Sequence, residues 1–304
     1  MTYKRTDLAL EMVQMHKEKT AEKGEIDGIT ISEQSENGIK VTRVKVLDEN
    51  GSALISKPIG NYVTIEADTL DYTNKADYEN MCDVLKSELS HIIDVDLSKP
   101  VLVVGLGNRN ITADALGPKV VENMLVTRHL FEQMPDLAQS FAASVCAIAP
   151  GVLGITGIET MEIVKGVVKR VNPGLVIAVD ALASRKIQRV NTTIQISDTG
   201  INPGSGVGNN RKALCRETLG VDVIAIGVPT VVDGITVALD VIETCGVKLE
   251  DEKKDDILRS EKGMMVTPKE VDLMIKRASK LIALSVNLAL QPAMTAEDIM
   301  SIIG

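Results

Sequence analysis

The chain has 304 residues, 44% of them hydrophobic, and a formal net charge of −9. That length and apolar content suit one large or two modest globular domains with a buried core, and the acidic balance argues against nucleic-acid binding over the whole surface, leaving open only a local basic groove. No segment reaches the roughly 18 uninterrupted apolar residues of a membrane span, and MTYKRTDLAL lacks the sustained apolar region of a secretory signal, so the sequence reads as soluble and cytosolic.

The first element expected is a helix over 7–20, with Asp7 as its N-cap. Short alternating stretches follow: GITIS at 28–32, IKVTRVKVL at 39–47 and YVTIEA at 62–67. Glu36-Asn37-Gly38 reads as the hairpin turn between the first two, so this front region is expected to be antiparallel. Residues 75–93 carry Tyr78, Met81, Leu85, Leu89 and Ile92 at helical spacing. From about residue 99 the rhythm changes. PVLVVGL (100–106), SVCAIAP (144–150), GLVIAVDAL (174–182) and VDVIAIGVPT (221–230) are fully apolar runs. Such runs suit strands buried on both faces of a parallel sheet. Thr156-Gly157-Ile158-Glu159 has the form of a capping box opening a helix that ends near Asn172-Pro173-Gly174. INPGSGVGNNRK (201–212) reads as a loop, and EDEKKDDILRSEKG (250–263) as a solvated charge run. Thr267-Pro268-Lys269-Glu270 combines a second capping box with Pro at the first helical position, ahead of a long helix with Val271, Ile275, Ala278, Ile282 and Ser285 on one face. The alternation of strands and helices predicts an α/β fold: a three-layer α/β/α core with a mostly parallel sheet and right-handed crossovers, plus a small antiparallel β region near the N-terminus. The domain reading is a single unit over 8–304, with an N-terminal β/helix region to about 95 and the α/β core from about 96.

In open α/β sheets, ligands bind beyond the carboxyl ends of the strands. Two apolar strands here lead to an acid: one through GLGNRNITA to Asp114, the other, VIAVDALAS, with Asp180 at its end. Asp-Ala-Leu recurs at 114–116 and 180–182. If the two strands are neighbours, both carboxylates face one crevice. Two close carboxylates cannot both ionise cheaply and tend to share a proton. The ionised member can take a proton from water, and the protonated member can polarise a peptide carbonyl or protonate a leaving amine. The bland alternative is that Asp180 caps a turn and Asp114 is an ordinary loop acid.

Dinucleotide binding is the weaker reading, because Gly105-Leu106-Gly107 is followed by Asn108-Arg109-Asn110 without the third glycine of the fingerprint. Its glycines are expected to permit a tight turn that brings backbone close to a substrate. His16, His91 and His129 form no metal-ligand set. Cys82, Cys146, Cys215 and Cys245 show no CxxC pair, which fits a reducing compartment. Ser205 has no G-x-S-x-G elbow around it. Asp233 in PTVVDG could lie near the same crevice or be structural, and Arg185 could pair with an acidic substrate side chain or serve the surface.

RTDLALE (5–11), GLGNRNITADALGP (105–118), APGVLGITGIET (149–160), AVDALASR (178–185), NPGSGVGNNR (202–211) and IGVPTVVD (226–233), in that order, resemble the germination proteases (GPR endopeptidases) of spore-forming bacteria. The resemblance implies an atypical aspartic endopeptidase that degrades small acid-soluble spore proteins during germination, with a core similar to that of the hydrogenase-maturation proteases. By motif match it puts the catalytic acids on Asp114 and Asp180, with no cofactor and no metal. It implies a homotetramer in the cytoplasm of the forespore or spore core, without direct nucleic-acid or membrane partners. It also implies a self-processing zymogen that prefers an acid before the cut, a hydrophobic residue after it, then Ala, with another acid four residues before it. Asp7-Leu8-Ala9 fits the first three, so residues 1–7 become a candidate pro-piece cut between Asp7 and Leu8, while Lys4 departs from the acidic preference. Cutting beside acids needs local positive charge, for which Arg109, Arg185, Arg211 and Lys212 are the candidates. Two other readings remain: the same two acids holding a divalent metal, as in the hydrogenase-maturation proteases, and a non-catalytic module that only binds spore proteins.

Overall fold

Helix α1 (Ala9–Thr20) leads into strands β1 (Ile29–Glu36) and β2 (Ile39–Val46), which pair antiparallel. The turn between them places Asn37 and Gly38 both at positive φ, as a type I′ hairpin demands. Helix α2 (Glu49–Ile55), strand β3 (Gly60–Ala67) and helix α3 (Lys75–Ile92) complete the front region. The second half runs through β4 (Val101–Gly105), α4 (Leu116–Glu122), α5 (Arg128–Gln133), α6 (Pro135–Ala138), β5 (Val145–Ile148), α7 (Leu153–Thr156) and α8 (Thr160–Val171). It continues with β6 (Leu175–Ser184), β7 (Thr193–Ser197), α9 (Arg216–Leu219), β8 (Asp222–Asp233), α10 (Gly234–Thr244), β9 (Met265–Val266), α11 (Val271–Leu290) and α12 (Ala296–Ile303). This computed structural model describes residues 6–20, 24–67, 75–94, 97–204, 211–246 and 263–303.

The strands among the described residues belong to one sheet in the order β1-β2-β3-β7-β8-β6-β4-β5, with β9 added to the end of β8. Strands β5, β4, β6 and β8 run parallel. From β8 through β7, β3, β2 and β1 every pairing is antiparallel. The expected α/β class and the N-terminal antiparallel strands are therefore present, and those strands are a direct extension of the central sheet, joined through β7.

The period-2 alternation of a strand sorts side chains to two faces. Val101 and Val103 of β4, and Leu175, Ile177 and Val179 of β6, enter one large core under α3, α4 and α11. The intervening Leu102, Val104, Val176 and Ala178 pack with Val164 and Val168 of α8 and Leu219 of α9. A third cluster seats Ala9 and Val13 of α1 on Ile29, Val44, Val46 and Tyr62. Fully apolar runs are what a sheet covered on both sides requires.

Three helix starts differ from expectation. The Thr156–Glu159 box does not open a helix: Thr156 closes α7, Gly157 takes the left-handed C-cap, and α8 begins at Thr160. The Thr156 hydroxyl instead accepts from the Ile158 N–H, because a glycine at positive φ stops the backbone one residue in. Helix α11 begins at Val271, not near Thr267, whose hydroxyl donates to the Thr230 carbonyl across the sheet end. At the chain start, α1 begins at Ala9, and the Asp7 carboxylate accepts from the Ala183 N–H rather than capping the helix. The C-terminal end of α8 is as read, with Asn172 in the left-handed conformation just before Pro173. Parts of the 201–212 loop and most of the 250–263 charge run lie outside the described residues.

Candidate functional site

The first acid arrives through a turn that glycine makes possible. Strand β4 ends at Gly105, and the next N–H, from Leu106, still donates to the Val179 carbonyl of β6 at 2.8 Å. At Gly107 the backbone turns to φ +108°, and a Cβ there would lie 2.0 Å from the Asp114 carbonyl oxygen. A Cβ on Gly117 would likewise lie 2.3 Å from the Leu106 carbonyl oxygen and 2.5 Å from that of Val179. The glycines thus bring backbone against the protein's own backbone, and the segment returns through a 3-10 turn, Thr112–Asp114. Two bonds fix it. The Asn108 N–H donates to Asp114 Oδ2 at 2.7 Å, and the Thr230 hydroxyl of β8 donates to the Ala113 carbonyl at 2.6 Å.

The second acid stands inside β6 rather than at its end. Pairing of β6 with β4 stops at Val179, opposite Gly105, while pairing with β8 continues to Ser184. Asp180 is therefore the first β6 residue past the end of β4, in the gap where the Gly105–Pro118 segment leaves the sheet. It is 5% exposed, and its Oδ1 accepts from the Ala181 N–H at 2.9 Å. The chain places an acid in a nearly dry position because the topology opens a crevice where β4 ends and its neighbour goes on.

Asp114 and Asp180 line one cavity of about 400 Å³, together with Asp7, Arg211 and Thr230. Burial pushes the Asp180 carboxyl well above the ordinary carboxylate range, and the negative charges of Asp114 and Asp7 push it the same way. Asp114 is also raised by burial, against the pull of the Asn108 N–H and the positive charge of Arg211. Of the two acids, Asp180 is the more deeply buried and the one pushed up by its neighbour's charge, which favours a proton there over Asp114.

A second cavity of about 320 Å³ adjoins the first and is lined by Lys57, Tyr62 and Gln195 among others; Asp7 and Leu182 line both. Residue 7 is held firmly between them. Its N–H donates to the Ala183 carbonyl at 2.9 Å, and its carboxylate accepts from the Ala183 N–H at 2.8 Å. Leu8 is fully buried.

The other residues singled out by sequence lie elsewhere. Arg109 is exposed and pairs with Glu122 at 3.3 Å, outside the cavity lining. Arg185 is buried, with its guanidinium on Glu18 at 2.8 Å and its N–H on Glu11 at 2.6 Å, also away from the cavity. Asp233 ends β8, and its carboxylate accepts from the N–H and hydroxyl of Thr236, which makes it the cap of α10. Lys212 is exposed. Of the four candidate cations only Arg211 reaches the cavity. His16, His91 and His129 sit on α1, α3 and α5, none of them in the lining. Among the described residues no group of three or more His, Cys, Asp or Glu is arranged to hold a metal ion.

Sequence reasoning missed Lys57, Gln195 and Thr230. Thr230 was within reach, since it lies in the quoted IGVPTVVD run. Gln195 had a signal too: it is a polar residue inside the apolar stretch TIQIS, and such a residue needs partners if buried. Lys57, in a loop, carries no pattern.

A family model described as germination protease matches residues 8–262. A germination protease of Caldanaerobacter subterraneus subsp. tengcongensis is 49% identical, with 97% of this chain and 96% of that protein aligned. One from Clostridium tetani is 46% identical over 98% of each chain. One from Bacillus cereus strain AH187 is 41% identical over 94% of this chain and 93% of its own length.

Proposed function

The chain belongs to the germination protease family, and from that premise we propose that it is an aspartic-type endopeptidase in which Asp114 and Asp180 act as base and acid on a peptide bond. The observation that carries the reading is the pair itself: one acid from the 3-10 turn after β4 and one from within β6, lining one cavity, each raised by burial and the deeper one raised further by its neighbour's charge.

The step follows from the protonation order. Asp114, ionised and held by the Asn108 N–H, takes a proton from water as the water oxygen attacks the peptide carbonyl carbon. Asp180, protonated, gives its proton to the leaving nitrogen as the carbon–nitrogen bond breaks. The pair exchanges roles without net gain or loss of protons, and one water is consumed per bond. Arg211 holds down the negative charge that Asp114 carries and offers a positive surface to an acidic substrate. The substrates proposed are small acid-soluble spore proteins, cut after acidic residues in the germinating spore. The protein is read as a homotetramer, and it would remove its own first seven residues by cutting between Asp7 and Leu8. Light scattering checks the assembly, and intact-mass measurement after incubation near pH 5 checks the self-cut.

Asp114→Asn and Asp180→Asn are each expected to lower the rate of spore-protein cleavage by about 10²–10⁴, the usual worth of a positioned acid or base, with the circular dichroism spectrum unchanged. Cleavage at the parent rate by both variants would discard the pair. Cleavage that stops on exhaustive chelation and returns with a divalent ion would replace this scheme with a metal-assisted one.

A further inference from the structure

The peptide bond between Asp7 and Leu8 is gripped on both sides by groups that the acid pair does not include. The Asp7 carbonyl oxygen accepts from Lys57 Nζ at 2.8 Å and from Gln195 Nε2 at 3.2 Å. The Gln195 side chain also reaches past the bond: its Oε1 accepts from the Ala9 N–H at 2.7 Å. One amide therefore spans Asp7 to Ala9 and fixes the line of the chain through Leu8. On the far side, Ala183 holds the Asp7 N–H and carboxylate. Residue 7 thus faces two cavities at once, with the acid pair lining one and the carbonyl's donors lining the other.

We propose that Lys57 and Gln195 form the carbonyl-binding pair for the cut between Asp7 and Leu8, stabilising the oxygen of that carbonyl as it becomes anionic. The inference rests on the reading that this bond is cut. When water adds to the Asp7 carbonyl carbon, its proton passes to Asp114 and the carbonyl electron pair moves onto oxygen. That oxygen already lies against an ammonium and an amide N–H. Donors fixed in place before charge develops are worth most in a site closed to water. When the intermediate collapses, the carbon–nitrogen bond breaks, the Leu8 nitrogen takes the Asp180 proton, and Asp7 is left with a new carboxyl group.

A purely structural anchor would not need a cation. Gln195 alone satisfies the neutral carbonyl, and enclosing an ammonium is costly. Burial pulls the Lys57 amine below its ordinary value, while the Asp7 carboxylate partly restores it. The neutral carbonyl offers little towards the cost that the Asp7 carboxylate leaves unmet, and an oxyanion adds a second opposite charge.

The test uses the full chain and follows the self-cut by intact mass after a shift to pH 5, for the parent, Lys57→Met, Lys57→Arg and Gln195→Leu, with melting curves for each. Lys57→Met is expected to slow the cut by about 10²-fold, the usual loss on removing one such donor, and Gln195→Leu by about tenfold or more. Lys57→Arg, which keeps the charge, is expected to recover to within about tenfold of the parent. Self-cutting by Lys57→Met at the parent rate overturns the inference while the processing reading stands. The same holds if Lys57→Arg is as slow as Lys57→Met with both folded, since that marks a packing role. A parent that is never cut after Asp7 removes the processing reading, and this inference with it.

Discussion

Asp180 shows how one buried acid makes the stability of a fold depend on pH. Its carboxyl is raised in the folded protein, first by burial and then by Asp114 and Asp7. The protonated form is thus the one the fold favours. That favourable contribution is complete below the unfolded value, near 3.9, and is lost as pH rises through the higher folded value. Above that, the parent carries a buried charge that an amide does not. Asp180→Asn is therefore expected to unfold at higher denaturant concentration than the parent at pH 8, with the gap closing towards pH 4; an equal gap at both values would show that the carboxyl is not raised. Gly107 makes a second residue-scale case. An alanine there must hold φ +108° and drive its Cβ to 2.0 Å from the Asp114 carbonyl. Gly107→Ala is expected to cost about 1–3 kcal/mol in urea unfolding and to cut peptidase activity more than tenfold by moving Asp114. That Asp114 and Asp180 would line one crevice was legible in the sequence because each is tied to one of two neighbouring apolar strand segments, although Asp180 proved to lie inside β6 and not at its end. Lys57 and Gln195 were not, because their meaning lies in a contact with residue 7 that only the folded chain makes.

The element that matters most to the site is α1, which carries the chain away from residue 7. Its Glu11 is 1% exposed and accepts from the N–H groups of Arg185 and Lys186, from the Arg189 guanidinium and from the Thr6 hydroxyl. Arg189 in turn donates to Glu66 of β3. One carboxylate thus moors the helix to the turn after β6, and the guanidinium passes the hold on to the antiparallel strands. Breaking a buried pair from one side strands the other charge, at about 3–5 kcal/mol. Glu11→Ala is expected to lose that much in denaturant titration and to expose the 6–12 segment to limited proteolysis. The long apolar strands and α3 were readable because period and burial agree. Helix starts were less so: the Thr-x-x-Glu pattern occurs at 156–159 and 267–270, yet a glycine at positive φ undoes the first and a sheet-end hydrogen bond takes the hydroxyl of the second. Strand β7 went unread because its five residues are all buried while Gln195 interrupts the apolar pattern.

Across the whole molecule, the largest core joins both halves of the sheet. Val41, Val63 and Ile65 of the front strands share it with Leu85 of α3, Ile177 of β6 and Ile282 of α11. A boundary near residue 95 therefore divides the sequence but not the packing. Leu85→Ala is expected to cost about 2–5 kcal/mol and to shift far-ultraviolet circular dichroism and tyrosine fluorescence together, since Tyr62 and Tyr78 lie in the front half; separate transitions would mean two independently folding units. The strand order also sets a schedule. Strand β3 pairs with β7, Tyr62 opposite Ser197, so the first three strands leave the ribosome long before their neighbour does. At about 5–20 residues per second, the open edge of β3 waits on the order of ten seconds for its partner. Through that interval the nascent chain presents the β3 strand, with Val63 and Ile65, paired to β2 on one edge and open on the other, and slower translation lengthens that exposure.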